Sequence, residues 1–209
     1  MRATLYYAHD PMCSWCWGFS RTWQSIERGL PPSVTVERLL GGLAADSDVA
    51  MPAEMQQFLR QTWQRIQQQI PGTEFNFDFW DHCSPRRSTY PACRAVIAAA
   101  NQGAEYHAKM TLAIQKGYYL EARNPSDDAT LIGMAKALGL DVEGFTAELN
   151  APQTQQRLMQ DILRSQQLGA QGFPSLILQQ GDQQWLLPLD YHNPDATLQR
   201  INSLLGHSD

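Results

Sequence analysis

The sequence predicts an α/β protein in which a βαβ unit and a ββα unit are separated by a large all-helical insertion. Two observations predict this class. Strand patterns occur near the two ends of the chain, and the long middle part shows helical periodicity punctuated by Pro and Gly. A chain of 209 residues can bury one sizeable core without structural staples. We expect residues 1–40 and 172–209 to form one discontinuous domain, and residues 41–171 to form the insertion.

The first forty residues show the pattern of a strand, a helix and a second strand. Ala3–Ala8 is apolar and aromatic on both faces, which is typical of a central strand. From Cys16 onwards, apolar residues recur at three- and four-residue spacing, which predicts a helix that begins at or just after the cysteines and ends near Gly29. Val34–Leu40 is rich in β-branched and apolar residues and predicts a second, parallel strand after a right-handed crossover.

The middle of the chain predicts a series of helices. The pattern is clearest from Pro52 to Ile70, where apolar residues lie on one face and Gln and Arg fill the other. Ser126, which is followed by two acids, predicts the N-cap of a helix that Gly139 ends. The further predicted helices are 88–101, 105–122, a short segment through 145–149, and 152–168.

Strand patterns return at Gly172. The segments GFPSLILQQ and QQWLLPL flank a Gly181-Asp182 turn and predict a β-hairpin. A last helix, Pro194–Leu205, completes the ββα unit.

Charge and hydropathy exclude several classes of partner. The net charge of -5 comes without any run of Lys or Arg, so neither nucleic acid nor a membrane is an expected partner. The N-terminus enters its strand pattern within a few residues and leaves no room for a secretory signal, so we expect a cytoplasmic protein. Because thiols stay reduced in the cytoplasm, a close cysteine pair there is catalytic or metal-binding rather than a staple.

Cys13 and Cys16 form such a pair, in the string DPMCSWCWGF where the first strand gives way to the helix. A helix N-terminus stabilises a thiolate through free backbone N–H groups and the helix dipole. We therefore expect Cys13 to be the nucleophile, and Cys16 to attack the mixed disulfide formed at Cys13. The redox-active group would be the Cys13–Cys16 disulfide itself, with no bound cofactor.

Aromatic residues surround this pair in the sequence. Trp15 and Trp17, together with Phe173 far downstream, would form an apolar lip that binds a peptide or a small thiol. Ser14, between the cysteines, can add hydrogen bonds at the same place.

Zinc is the alternative chemistry for the cysteines. Zinc ribbons need two close pairs, whereas Cys83 and Cys93 are separated by ten positions. We therefore expect no metal site, and we interpret Cys83 and Cys93 as small buried apolar residues.

The residues quoted above resemble a known family. The CSWC motif at the first helix, the interrupted βαβ/ββα order and the segment Gly172-Phe173-Pro174-Ser175 before the third strand resemble the DsbA-like branch of the thioredoxin superfamily. The string DPMCSWCWGF is similar to that of the cytoplasmic FrnE-like members. The resemblance implies a thioredoxin fold with a helical insertion, and a cis-proline, Pro174, opposite the cysteine pair.

Two positions depart from the family pattern. The dipeptide Ser14-Trp15 lacks the histidine that is typical of strongly oxidising DsbA proteins, and Tyr7 stands where thioredoxins carry a buried acid. Since tyrosine is a poor base at neutral pH, the proton of Cys16 would pass to water, His9 or Asp10. We therefore expect a couple of intermediate potential, acting as a reductase or isomerase rather than as a dedicated oxidant.

The leading hypothesis is a protein thiol–disulfide oxidoreductase or isomerase that acts on thiol or disulfide protein substrates, with glutathione as a candidate co-substrate. A glutathione-dependent isomerase or transferase of the same superfamily branch is an alternative, although such enzymes usually carry serine at the nucleophile position. A further alternative is a chaperone-like binding module whose aromatic groove holds unfolded chains.

Overall fold

The computed structural model describes residues 2–206 of the chain. Within this range the chain forms four strands and nine helices. The strands are β1 (Ala3–His9), β2 (Val34–Leu40), β3 (Ser175–Gln180) and β4 (Gln183–Leu187). The helices are α1 (Ser14–Gly29), α2 (Ala53–Gln69), α3 (Phe79–His82), α4 (Tyr90–Ala100), α5 (Tyr106–Tyr119), α6 (Asp128–Ala137), α7 (Val142–Leu149), α8 (Pro152–Gln167) and α9 (Pro194–Gly206).

The four strands form one mixed sheet in the order β2-β1-β3-β4. β1 pairs in parallel with β2 and antiparallel with β3, and β3 and β4 form the predicted hairpin. Tyr7 near the end of β1 lies opposite Arg38 of β2 and Leu176 of β3. The predicted fold class is confirmed: it is a thioredoxin fold with seven helices inserted between β2 and β3, counted over the described residues.

The two faces of the sheet are covered differently. Leu5 and Tyr7 of β1 point to one face, where they pack with Trp23 of α1 and Ile201 of α9. The other face is smaller, and Leu168, just after α8, packs there with neighbouring strand residues. Because both faces are buried, β1 carries apolar side chains on each of them, as its sequence predicts.

The inserted helices have a core of their own. Trp63 of α2 is fully buried at its centre, and its ring contacts Phe75 and Trp80 of the same insertion. Met12, in the loop before α1, and Leu40, the last residue of β2, belong to the same apolar cluster. The insertion therefore packs directly against the loop that precedes α1. The division into domains at residues 40/41 and 171/172 stays a prediction.

Helix α1 begins at Ser14, between the two cysteines, with Cys13 as its N-cap residue, so the predicted start at the cysteine pair is confirmed. Two other predictions along the chain are wrong. Ser126 is not the N-cap of α6; that position belongs to Asp127. The buried Ser126 hydroxyl instead donates a hydrogen bond to the Ser88 carbonyl at 2.8 Å. The short helix α3 lies in an aromatic stretch for which the sequence predicts no helix.

Candidate active site

Cys13 lies in the turn between β1 and α1, at the N-cap position of the helix. Its backbone N–H donates to the Asp10 carbonyl at 3.0 Å, and its carbonyl accepts from the Trp17 N–H at 3.1 Å. No acidic residue occupies the first turn of α1. Backbone N–H groups at a helix start stabilise negative charge. A nucleophilic cysteine needs this stabilisation because its reactive form is the thiolate.

Cys16 lies one turn further along α1 and is fully buried. Burial raises the pKa of the Cys16 thiol well above its usual value, and a hydrogen bond between its side chain and that of Cys13 raises this pKa further. A hydrogen bond from the backbone of Asp10 acts in the opposite direction. Cys16 is therefore a protonated thiol beside Cys13, and neither cysteine is in a disulfide in this structure.

The loop before β3 faces the first cysteine. The Phe173–Pro174 peptide bond is cis, as the family resemblance implies. The Cys13 thiol donates a hydrogen bond to the Phe173 carbonyl at 3.3 Å. Thus the structure brings Cys13, Cys16 and Pro174 together from opposite ends of the sequence.

Tyr7 occupies the position of the buried acid, as the sequence indicates. Its ring is stacked between those of His9 and Trp23, with centroid distances of 4.7 and 4.1 Å. Burial raises the pKa of Tyr7 well above its usual value, and the charges of Cys16 and Cys13 raise it further. Tyr7 therefore stays protonated at neutral pH and is not a base for the pair.

Asp10 is buried, and protein donors surround its carboxylate. One oxygen accepts from the Met12 N–H at 2.8 Å. The other accepts from the Leu43 N–H and the Thr89 hydroxyl, both at 2.7 Å, and from the Cys93 thiol at 3.6 Å. Burial raises the pKa of Asp10, and these hydrogen bonds oppose the rise.

His9 is 1% exposed and lines a cavity of about 80 Å³ together with His107 of α5. The centroids of the two rings lie 5.5 Å apart, and none of the ring nitrogens has a hydrogen-bond partner in the described chain. Burial lowers the pKa of His9 well below its usual value, and the charges of His107 and Arg38 lower it further. The relay roles of His9 and Asp10 stay predictions.

The aromatic residues beside the pair differ in their surroundings. Trp15 is half-buried and packs edge-on against Tyr191, with ring centroids 5.6 Å apart. Trp17 stacks on Tyr119 at 5.7 Å, and its indole N–H donates to the Glu74 carbonyl at 3.0 Å. Trp17 is therefore fixed by the insertion, whereas no hydrogen bond holds the Trp15 ring within residues 2–206.

Three residues of the insertion reach the cysteine loop without a warning in the sequence. The Trp63 indole N–H donates to the Ser14 hydroxyl at 3.0 Å, and the Tyr119 hydroxyl donates to the Met12 carbonyl at 2.7 Å. Thr89 binds Asp10 as described above. The only signals in the sequence are that Trp63 lies on the apolar face of a predicted helix and that Tyr119 follows another tyrosine, and an apolar core explains both equally well.

The remaining cysteines show no sign of a metal site. Cys93 is fully buried, and the half-buried Cys83 donates to the Ala122 carbonyl at 3.0 Å. Residues 2–206 contain no group of three or more His, Cys, Asp or Glu side chains that could hold a metal ion.

In the same range, every helix is too short or too polar to cross a membrane.

Comparisons with known proteins place the chain in a family. A family model described as thioredoxin matches residues 6–185, which is most of the chain. The chain belongs to the thioredoxin family. A search of curated protein sequences finds no match.

Solved structures of this family narrow the resemblance. A Nitrosomonas europaea protein assigned as a protein disulfide isomerase is 26% identical, with 100% of both chains covered and a TM-score of 0.85. The cytosolic disulfide reductase DsbM from Pseudomonas aeruginosa is 25% identical, with 97% of this chain and 98% of that chain covered and a TM-score of 0.77. DsbM with GSH is also similar in fold, at 24% identity, 97% and 99% coverage and a TM-score of 0.76. The thioredoxin-family chain is thus DsbA-like, and the FrnE-like resemblance is consistent with these relatives.

Proposed function

We propose that this protein is a thiol–disulfide oxidoreductase in which Cys13 is the nucleophile and Cys16 is the resolving thiol. One observation carries the proposal. The Cys13 sulfur lies at the N-terminus of α1, 3.3 Å from the carbonyl before a cis-proline, and the buried Cys16 thiol follows one helical turn further along. Such a site can exchange one disulfide for another without a bound cofactor or metal.

The proposed cycle moves two electrons from the cysteine pair to a substrate disulfide. The Cys13 thiolate attacks one substrate sulfur, a mixed disulfide forms, and the other substrate sulfur leaves and takes up a proton. The Cys16 thiol then gives up its proton and attacks the Cys13 sulfur. This step releases the second substrate thiol and leaves the Cys13–Cys16 disulfide. Two molecules of glutathione, oxidised to one glutathione disulfide, would restore the two thiols.

The proposed direction is that of a reductase or isomerase in the cytoplasm. Ser14-Trp15 lacks the histidine of strong oxidants, and Tyr7 with its raised pKa cannot act as the buried acid does. The cytosolic disulfide reductase DsbM, which covers nearly the whole chain, supports the same direction and location. The structure of DsbM with GSH supports glutathione as a co-substrate.

Protein thiols and disulfides are the proposed main substrates. The segment around Phe173 and Pro174 would present a backbone edge to an extended peptide, with the Cys13 sulfur beside it. Trp15, whose side chain is half-buried, would supply the apolar contact with the peptide. Ser14 and Trp17, which hydrogen bonds connect to the insertion, would form the neighbouring wall of the site.

Insulin reduction in the presence of glutathione tests this proposal. We expect Cys13→Ser to lose at least a hundredfold in rate while its circular dichroism spectrum stays unchanged, because serine cannot form the mixed disulfide. Cys83→Ser is the matched control, since Cys83 lies in the insertion, where its thiol donates to the Ala122 carbonyl, and it should keep the wild-type rate. Full activity in Cys13→Ser would refute the proposal, and binding of unfolded chains without reduction would favour the chaperone-like alternative.

A further inference from the structure

We infer that the helical insertion sets the redox equilibrium of the Cys13–Cys16 pair, with Thr89 and Tyr119 as positioning residues. Both residues belong to the insertion, and both hydroxyls bond to the loop formed by residues 10–14. The inference rests on the proposed function, because it takes this pair to be the redox centre.

Thr89 acts through Asp10. Its hydroxyl donates to the Asp10 carboxylate at 2.7 Å, and the other carboxylate oxygen accepts from the Met12 N–H at 2.8 Å. Met12 is the residue before the nucleophile, and the Asp10 carbonyl accepts from the Cys13 N–H at 3.0 Å. One buried carboxylate therefore joins the start of α4 to both ends of the turn that carries Cys13.

Tyr119 holds the same turn from another helix of the insertion. Its hydroxyl, at the C-terminal end of α5, donates to the Met12 carbonyl at 2.7 Å. A third contact, from the Trp63 indole N–H to the Ser14 hydroxyl at 3.0 Å, fixes the residue that follows Cys13. All three donors are buried, which shields these bonds from bulk water.

These bonds should favour the dithiol over the disulfide. In the structure, the hydrogen bonds from the insertion hold the turn in the position from which the Cys13 thiol donates to the Phe173 carbonyl. Cys13 loses this S–H donor when the disulfide forms. A contact of equal strength in both redox states would add to the stability of the fold without moving the equilibrium. A contact that fits the dithiol turn better lowers the equilibrium constant for oxidation.

The test is the equilibrium constant for oxidation of the pair by glutathione disulfide, measured for the full chain at neutral pH. We expect Thr89→Val and Tyr119→Phe, each of which removes one hydroxyl, to raise this constant three- to tenfold, and tenfold corresponds to about 30 mV. Thr89→Ser keeps the hydroxyl and should restore a value near that of the wild type.

Tyr118→Phe is the matched control. Tyr118 is the neighbour of Tyr119 in the same aromatic cluster and is also buried, but its hydroxyl makes no hydrogen bond to residues 10–14. We expect its equilibrium constant to stay within twofold of the wild type.

The outcomes separate the inference from the proposed function. A wild-type pair that does not exchange reversibly with glutathione contradicts both. The inference alone is overturned if the wild-type pair exchanges reversibly but Thr89→Val and Tyr119→Phe leave the equilibrium constant for oxidation unchanged or lower it. It is also overturned if Tyr118→Phe raises this constant as much as those two variants do. Since Thr89 is the N-cap of α4 and Tyr119 ends α5, the two substitutions affect different elements, and either variant decides the question if the other does not fold.

Discussion

At the scale of single residues, the two cysteines have different tasks because their surroundings differ. Cys13 is at the helix start with its sulfur against the Phe173 carbonyl, whereas Cys16 is fully buried beneath it. The raised pKa of Cys16 keeps this thiol protonated until a mixed disulfide forms at Cys13. Cys13, and not Cys16, therefore makes the first attack on a substrate disulfide.

This order predicts which variant traps an intermediate. Cys16→Ser should accumulate a mixed disulfide between Cys13 and the substrate, because no second thiol can resolve it. Cys13→Ser should form none. Mass spectrometry after mixing with an oxidised peptide, without reductant, checks both variants. A mixed disulfide on Cys16 in the Cys13→Ser variant would contradict the assignment of roles.

The sequence predicts the residues of the motif but not the residues that hold the motif in place. Spacing and the family resemblance identify Cys13, Cys16 and Pro174. The contacts of Thr89 and Tyr119 join positions 79 and 107 residues apart, and no local pattern encodes such contacts. They depend on how the helices of the insertion pack, which only the fold reveals.

At the scale of elements, the loop after β2 and the loop before β3 pack too closely for a side chain between them. A Cβ atom added to Gly41 would lie 2.0 Å from the Phe173 ring. The ring would have to move, and the Phe173 carbonyl is the acceptor for the Cys13 thiol. Gly41 therefore supports the site by leaving room for Phe173.

We expect Gly41→Ala to lower the free energy of unfolding by about 1–3 kcal/mol, which is the usual cost of overpacking, and to reduce the rate of disulfide reduction. Urea denaturation and the insulin assay measure the two effects. Gly172→Ala is the control on the loop that carries Phe173, because its new methyl group would meet no atom within 4 Å. Equal stability and activity in the two variants would contradict this role of Gly41.

Element types were predictable where the chain has clear periodicity or glycine stops. Gly139 and Gly169, after α6 and α8, adopt positive φ of 75° and 79°, as their positions after helical patterns predict. The N-terminal ends were less predictable. Ser126 and Asp127 are both good caps, and the choice between them depends on the long-range bond from Ser126 to Ser88.

At the scale of the whole molecule, the buried His9 and the half-buried His107 meet between the sheet and the insertion. His9 ends β1, His107 lies in α5, and both rings line one small cavity. Burial lowers the pKa of His107 to about 4, with the charges of Arg38 and Arg157 as further causes. Both histidines are therefore neutral in the folded protein at neutral pH.

This arrangement predicts a loss of stability in acid. Below pH ~6.5 the histidines of the unfolded chain gain protons, while the folded chain resists protonation until pH falls to about 4 for His107. Stability should therefore fall as pH decreases through this window, by roughly 3 kcal/mol from His107 alone. In the His107→Gln variant, the free energy of unfolding should depend less steeply on pH, as measured by urea titrations at several pH values. An unchanged pH dependence in this variant would contradict the prediction.

The equilibrium of the Cys13–Cys16 pair with glutathione distinguishes a reductase or isomerase from a dedicated oxidant. We expect reversible oxidation at a potential nearer to those of thioredoxins and glutaredoxins, about -270 to -200 mV, than to that of the oxidant DsbA, about -120 mV. The missing histidine between the cysteines and the protonated Tyr7 behind them are the reasons. A potential near that of DsbA would show an oxidant instead, and the lack of a reversible disulfide between Cys13 and Cys16 would refute the proposed redox function.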